Sequence, residues 1–90
     1  VLWVSAEPLI GRFDVLDHRV DWMVVGGESG RDYRPMDLDD ARYMRDQCRE
    51  KSIPFFFKQV GGLYAGELGD KLDGVEFKEF PVKMFYSGVE

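Results

Sequence analysis

Three short apolar runs, each ending on polar or glycine residues, constrain this chain more than any other feature in it. Val1 to Ala6 is apolar apart from Ser5, Trp22-Met23-Val24-Val25 is apolar throughout, and a third run spans Ile53 to Phe57. None alternates apolar with polar as a strand with one wet face does, so each reads as a strand buried on both faces, the pattern of parallel sheets. They stop at Glu7-Pro8, at Gly26-Gly27-Glu28-Ser29-Gly30, and at Lys58-Gln59 ahead of Gly61-Gly62.

Between the second and third runs lies the clearest helix signal. Asp37 is a good N-cap, Asp40 three residues on makes a variant of the capping box, and Asp39 adds negative charge where the helix dipole is positive. Leu38, Ala41, Met44 and Cys48 form one apolar stripe, Arg42 and Asp46 stand at pairing distance, and the helix should stop near Lys51-Ser52 before Pro54. Strand, helix and strand make a βαβ unit with a right-handed crossover expected. Residues 8 to 21 are just long enough for the other crossover, with a turn or so of helix near Asp14 to Asp17. Asp73-Gly74 between short apolar runs predicts a hairpin, and residues 63–90 read as a closing hairpin and irregular tail. The fold class is therefore α/β: three mostly parallel strands, one main crossover helix and a C-terminal hairpin, in one small domain over 1–90.

Ninety residues allow at most one domain. At 44% hydrophobic and 14% aromatic the chain is too rich for disorder. Seventeen acidic against twelve basic residues leave a net charge of -5, which disfavours direct nucleic-acid binding. A single cysteine allows no internal disulfide, and with His18 thirty residues away no zinc site is expected. No apolar run reaches the roughly 20 residues of a membrane span, so a cytoplasmic protein without a membrane partner is expected. The start at Val1, without an initiator Met, leads us to expect a piece of a longer chain.

Ligands of parallel α/β sheets bind outside the strand carboxyl ends, which singles out Glu7, Glu28, Ser29, Lys58 and Gln59 as candidate pocket residues. With neighbouring strands about 4.8 Å apart, Glu7 and Lys58 should flank Glu28. Two readings stay open: a site that holds an amine or cation or moves a proton, or a structural pair in which Lys58 neutralises Glu28. Gly26, Gly27 and Gly30 could turn N–H groups toward an anion, with Arg34 as its clamp, although the loop matches neither the P-loop nor the dinucleotide pattern. Against each stands a plain alternative, a glycine-rich strand exit and a solvated loop arginine. Cys48 lies on the apolar stripe and reads as packing, His18 as exposed and idle, and Phe55-Phe56-Phe57 as core.

Taken jointly, Ser5-Ala6-Glu7-Pro8-Leu9, Asp21 to Gly30, Arg34-Pro35-Met36, Arg45-Asp46-Gln47-Cys48 and Pro54 to Gln59 with Gly61-Gly62 resemble the C-terminal part of a bacteriophage and prophage family of radical-SAM-like barrel proteins of unassigned function. The resemblance covers roughly residues 3 to 81. It implies a partial (β/α) barrel whose N-terminal half carries a three-cysteine iron-sulfur motif and uses S-adenosylmethionine, cofactors implied for the full-length family and not for this chain alone. It also implies that Glu7, Glu28 and Lys58 face the barrel mouth. In radical SAM enzymes a Gly-Gly-Glu motif contacts the methionyl amino group, but after an early strand, whereas Gly26-Gly27-Glu28 follows a late one. Expected partners are a missing N-terminal half, a second copy, or a host or phage protein in the host cytoplasm. The alternative is a small acidic phage module that binds a host protein.

Overall fold

The computed structural model describes residues 2–15, 20–64 and 66–81. Within them the apolar runs become strands β1 (Trp3–Ala6), β2 (Trp22–Val25) and β3 (Phe55–Phe57). All pair in parallel in the order β1-β2-β3, and Ala6, Val25 and Phe57 stand level at their carboxyl ends. Central β2 is buried along its whole length. β1 is not: it alternates exposed and half-buried residues, and Trp3 keeps 51% of its surface in solvent. The cause is position, since β1 has β2 on one side and no strand on the other among the described residues.

Helix α1 (Leu38–Glu50) starts where the sequence predicts, but its cap differs in detail. Asp37 accepts a hydrogen bond from the Asp39 N–H at 2.9 Å, while Asp40, the expected capping-box partner, binds Arg12 at 2.8 Å instead. Ala41, Met44 and Cys48 are fully buried against Met23, Val25, Phe55 and Phe57. Because side chains alternate along a strand, this helix covers one sheet face and leaves Trp3, Ser5, Trp22, Val24 and Phe56 on the other.

The connection from β1 to β2 contains no helical turn among its described residues, and it docks on α1 through side chains. Gln47 accepts from the Val15 N–H at 2.7 Å and donates to Phe13 O at 2.7 Å, and the Tyr43 hydroxyl donates to Asp14. Arg12 lies 4.9 Å over the Tyr43 ring. His18 falls outside the described residues.

Strands β4 (Lys71–Leu72) and β5 (Val75–Glu76) form the expected antiparallel hairpin. Asp73 at φ 54° and Gly74 at φ 76° both occupy the left-handed region, as a type I′ turn requires. Leu72 is fully buried, and the Asp73 carboxylate accepts from Arg42 at 2.9 Å and Arg45 at 2.7 Å. That contact replaces the expected Arg42–Asp46 pair: Arg42 turns to Asp73 and Asp39, and Asp46 binds Arg45. One carboxylate reached by two guanidiniums is a better partner than a solvated neighbour on the same helix.

An open three-stranded sheet would leave two edges, but here one is covered. Residues 77–79 lie antiparallel to β3: Phe57 N donates to Phe77 O at 2.7 Å, and Glu79 N to Phe55 O at 3.3 Å. The indole N–H of Trp22 then donates to Glu79 O at 2.8 Å, and Phe80 packs 5.3 Å from both the Trp22 and Phe56 rings. The closing segment thus shields part of the face that α1 does not reach. Residues 82–90 of the expected tail lie outside the described residues.

Candidate functional site

One residue beyond the strands, the parallel register brings Glu7, Gly26 and Lys58 level. Gly26 N donates to Ala6 O at 3.1 Å and Lys58 N to Val25 O at 2.8 Å, so the ladder continues through this row. Ala6 and Phe57 point to the helix-covered core, so Glu7 and Lys58 point to the opposite face. There Lys58 Nζ donates to Glu7 Oε1 at 3.1 Å, reaching across the intervening strand. Gly26 keeps that path open, because a Cβ on it would lie 2.8 Å from Glu7 Oε2.

Glu28 does not join this pair. Its carboxylate accepts from the Arg34 backbone N–H at 2.8 Å, from Nε at 2.9 Å and from Nη2 at 2.7 Å. Those side-chain bonds, then the backbone bond, hold the Glu28 carboxyl down at about 2 against an ordinary 4.5. A group so acidic stays ionised near neutral pH and cannot shuttle a proton there. Lys58 therefore neutralises Glu7 rather than Glu28, and Arg34 neutralises Glu28 rather than an anion.

The glycine loop is likewise occupied from within. Gly27 N donates to Gln59 O at 2.8 Å, Gly62 N to Glu28 O at 3.1 Å, and Gly30 N to Gly62 O at 3.0 Å, with Ser29 bridged to Gly62. Residues 26–30 and 59–62 extend the pairing of β2 and β3 past the strand ends. The backbones approach so closely that a Cβ on Gly27 would sit 2.6 Å from the Val60 carbonyl carbon. What the sequence presents as an anion nest works here as a backbone zipper.

Lys58 and Gln59 border a cleft of about 440 Å³ that also includes Gly66, Gly69 and Asp70. Lys78 stands beside it, 3.6 Å from Asp70, donating to Phe57 O at 3.1 Å and lying 4.8 Å over the Phe56 ring. Asp70 and Lys78 escaped sequence reasoning because they fall in a segment with no usable period. The signals near them, the Asp73-Gly74 hairpin pair and the turn formers Gly66 and Gly69, whose φ values are 84° and 93°, mark turns and not a charged wall.

Cys48 offers no metal ligand at this rim: it is fully buried in the core, and burial foremost, with the Glu79 charge second, pushes its thiol up to about 12. Among the described residues no group of three or more His, Cys, Asp or Glu side chains is placed to hold a metal ion. Nor is any helix among them long and apolar enough to cross a membrane.

A family model described as protein of unknown function (DUF5131) matches residues 1–81. The chain belongs to the DUF5131 family. The match covers every described element of this family member, from β1 through the segment that covers β3. Comparison with curated proteins and with solved structures gives no match.

Proposed function

We propose that this chain is a section of a larger phage-derived, partial (β/α) barrel of radical-SAM-like type, supplying wall and mouth residues and lacking complete catalytic machinery by itself. The observation that carries the reading is the layer order. In a (β/α) barrel helices lie outside a parallel sheet, and the inward face bears the polar groups at the strand carboxyl ends. Here α1 covers one face, while Glu7 and Lys58 meet on the other. The half-exposed Trp3 on β1 is what a strand with an absent neighbour would present.

The groups implied for the whole barrel do not fit the residues present. Cys48, the single cysteine, is packed in the core, so an iron-sulfur cluster would have to be held by another segment. Glu28 is committed to Arg34, so it does not offer the free carboxylate that would receive a methionyl ammonium. What this chain's own residues do is pair charge across Gly26 and shape the cleft beside it.

The test is to co-express the chain with a segment carrying a three-cysteine motif of the same family. Co-purification of the halves, iron-sulfur absorbance and cleavage of S-adenosylmethionine are expected; halves that never associate would overturn the proposal.

The exposed edge of β1 and its half-exposed Trp3 also favour a second reading, a small acidic module that binds a host protein by strand addition. It requires a specific host partner whose binding is lost on Trp3→Ala; a strictly monomeric chain that retains nothing from host lysate would sink it.

A further inference from the structure

We infer that the cleft beside β3 binds a small zwitterion, a ligand of α-amino-acid type whose carboxylate meets Lys58 and whose ammonium meets Asp70. This rests on reading the strand carboxyl ends as a binding mouth. The cleft is about 440 Å³, within the range of roughly 300–1,000 Å³ usual for small-molecule sites. One wall is the exit of β3, with Lys58 and Gln59; the other is the turn around Gly66 and Gly69, leading into Asp70. That turn is fixed from within, Gly69 N donating to Gly66 O at 3.0 Å and Gly69 O accepting from Val60 N at 2.9 Å. A Cβ built on either glycine meets nothing within 4 Å, so this wall is bare backbone facing open space.

The two walls carry opposite charges, and neither charge is saturated by the protein. Lys58 is 52% exposed and spends one of its three N–H donors on Glu7. Asp70 is 45% exposed, and its cation, Lys78, stands 3.6 Å away, beyond hydrogen-bond distance. Gln59 uses its amide nitrogen on Gly27 O at 3.3 Å, and among the described contacts its oxygen accepts nothing. A ligand with only a negative charge would be repelled by Asp70 and Glu7. One with only a positive charge would be repelled by Lys58 and Lys78. A molecule bearing an ammonium and a carboxylate offers a partner to each wall and adds no net charge to the rim.

The experiment titrates the isotope-labelled full chain with L-leucine, with N-acetyl-L-leucine, which keeps only the carboxylate, and with L-leucinamide, which keeps only the ammonium. Saturable amide shifts with L-leucine are expected at Lys58, Gln59, Gly66, Gly69 and Asp70, with about tenfold weaker binding of either blocked analogue. Lys58→Gln and Asp70→Asn should each weaken L-leucine about tenfold while the spectrum stays dispersed and the urea midpoint holds. No saturable shift with L-leucine, or equal binding of a singly charged analogue, overturns the inference. If the barrel halves fail to associate but the titration succeeds, the barrel proposal falls and the zwitterion site stands; association with a failed titration gives the reverse.

Discussion

Gly27→Ala should cripple the fold through a single methyl group. In the native backbone its Cβ would sit 2.6 Å from the Val60 carbonyl carbon and nearer still to the carbonyl oxygen. Contact between such carbons is normally about 3.5–4.0 Å, so the two chain segments must part by about 1 Å. Gly27 has no positive φ, so the cost is this collision and not backbone strain. Parting the segments lengthens the bonds from Gly27 N to Gln59 O, 2.8 Å, and from Gly62 N to Glu28 O, 3.1 Å, beyond useful range. Overpacking costs about 1–3 kcal/mol and each lost hydrogen bond about 1 kcal/mol, together about 3–5 kcal/mol. Domains are stable by about 5–15 kcal/mol, and small ones sit at the low end. The variant should therefore unfold at far lower urea, followed by the fluorescence of buried Trp22. Gly11→Ala, with nothing within 4 Å of its Cβ, is the control and should stay within about 0.5 kcal/mol of the parent. A Gly27→Ala midpoint within about 1 kcal/mol of the parent, at unchanged slope, would refute the zipper argument.

Met44→Ala removes a fully buried side chain between helix and sheet and should cost about 2–5 kcal/mol in the same urea assay; a loss under 1 kcal/mol would mean the site is not packed as described. With its thiol pushed up to about 12, Cys48 should resist a thiol-specific chromophoric reagent at pH 8 until urea unfolds the chain, and stoichiometric reaction of the native protein would contradict its burial. Glu28 titrates at about 2 in the fold against an ordinary 4.5, so its contribution to stability is complete above about pH 4.5 and is lost as pH falls toward 2. Arg34→Gln should return the carboxyl, followed by its carbon resonance, toward 4.5 and flatten that acid branch; an unmoved titration would remove Arg34 as the cause. Asp73→Asn should weaken the grip of the hairpin on α1, seen as faster amide exchange at Leu72, because its carboxyl is held low by Arg42 first and Arg45 second.

The legible parts of the fold were those written by local patterns. Three unalternated apolar runs marked the parallel strands, Asp37 the helix start, the stripe ending at Cys48 its buried face, and Asp73-Gly74 the hairpin. Patterns of that kind cannot say which strand lies at an edge, and so β1 emerged half-exposed instead of buried. Pairing choices were equally hidden, because they depend on groups distant in sequence. Lys58 found Glu7 across fifty-one positions, and Asp73 drew Arg42 away from Asp46. Glu28 was lost to Arg34, six residues on, because the loop after β2 folds back on itself. The glycines left two readings open, an anion loop or a plain strand exit, and the backbone that Gly27 must admit, at Val60, could not be read because it comes from another part of the chain.

The antiparallel strip at residues 77–79 has a consequence for how such chains meet. A sheet accessible from both sides can lengthen without limit, each newcomer offering a fresh seat to the next. Among the described residues the outer side of β3 is taken by this strip, and the outer side of β1 pairs with no strand. A newcomer that adds as a strand therefore meets unpaired backbone groups along β1, and beside β3 it meets the strip instead.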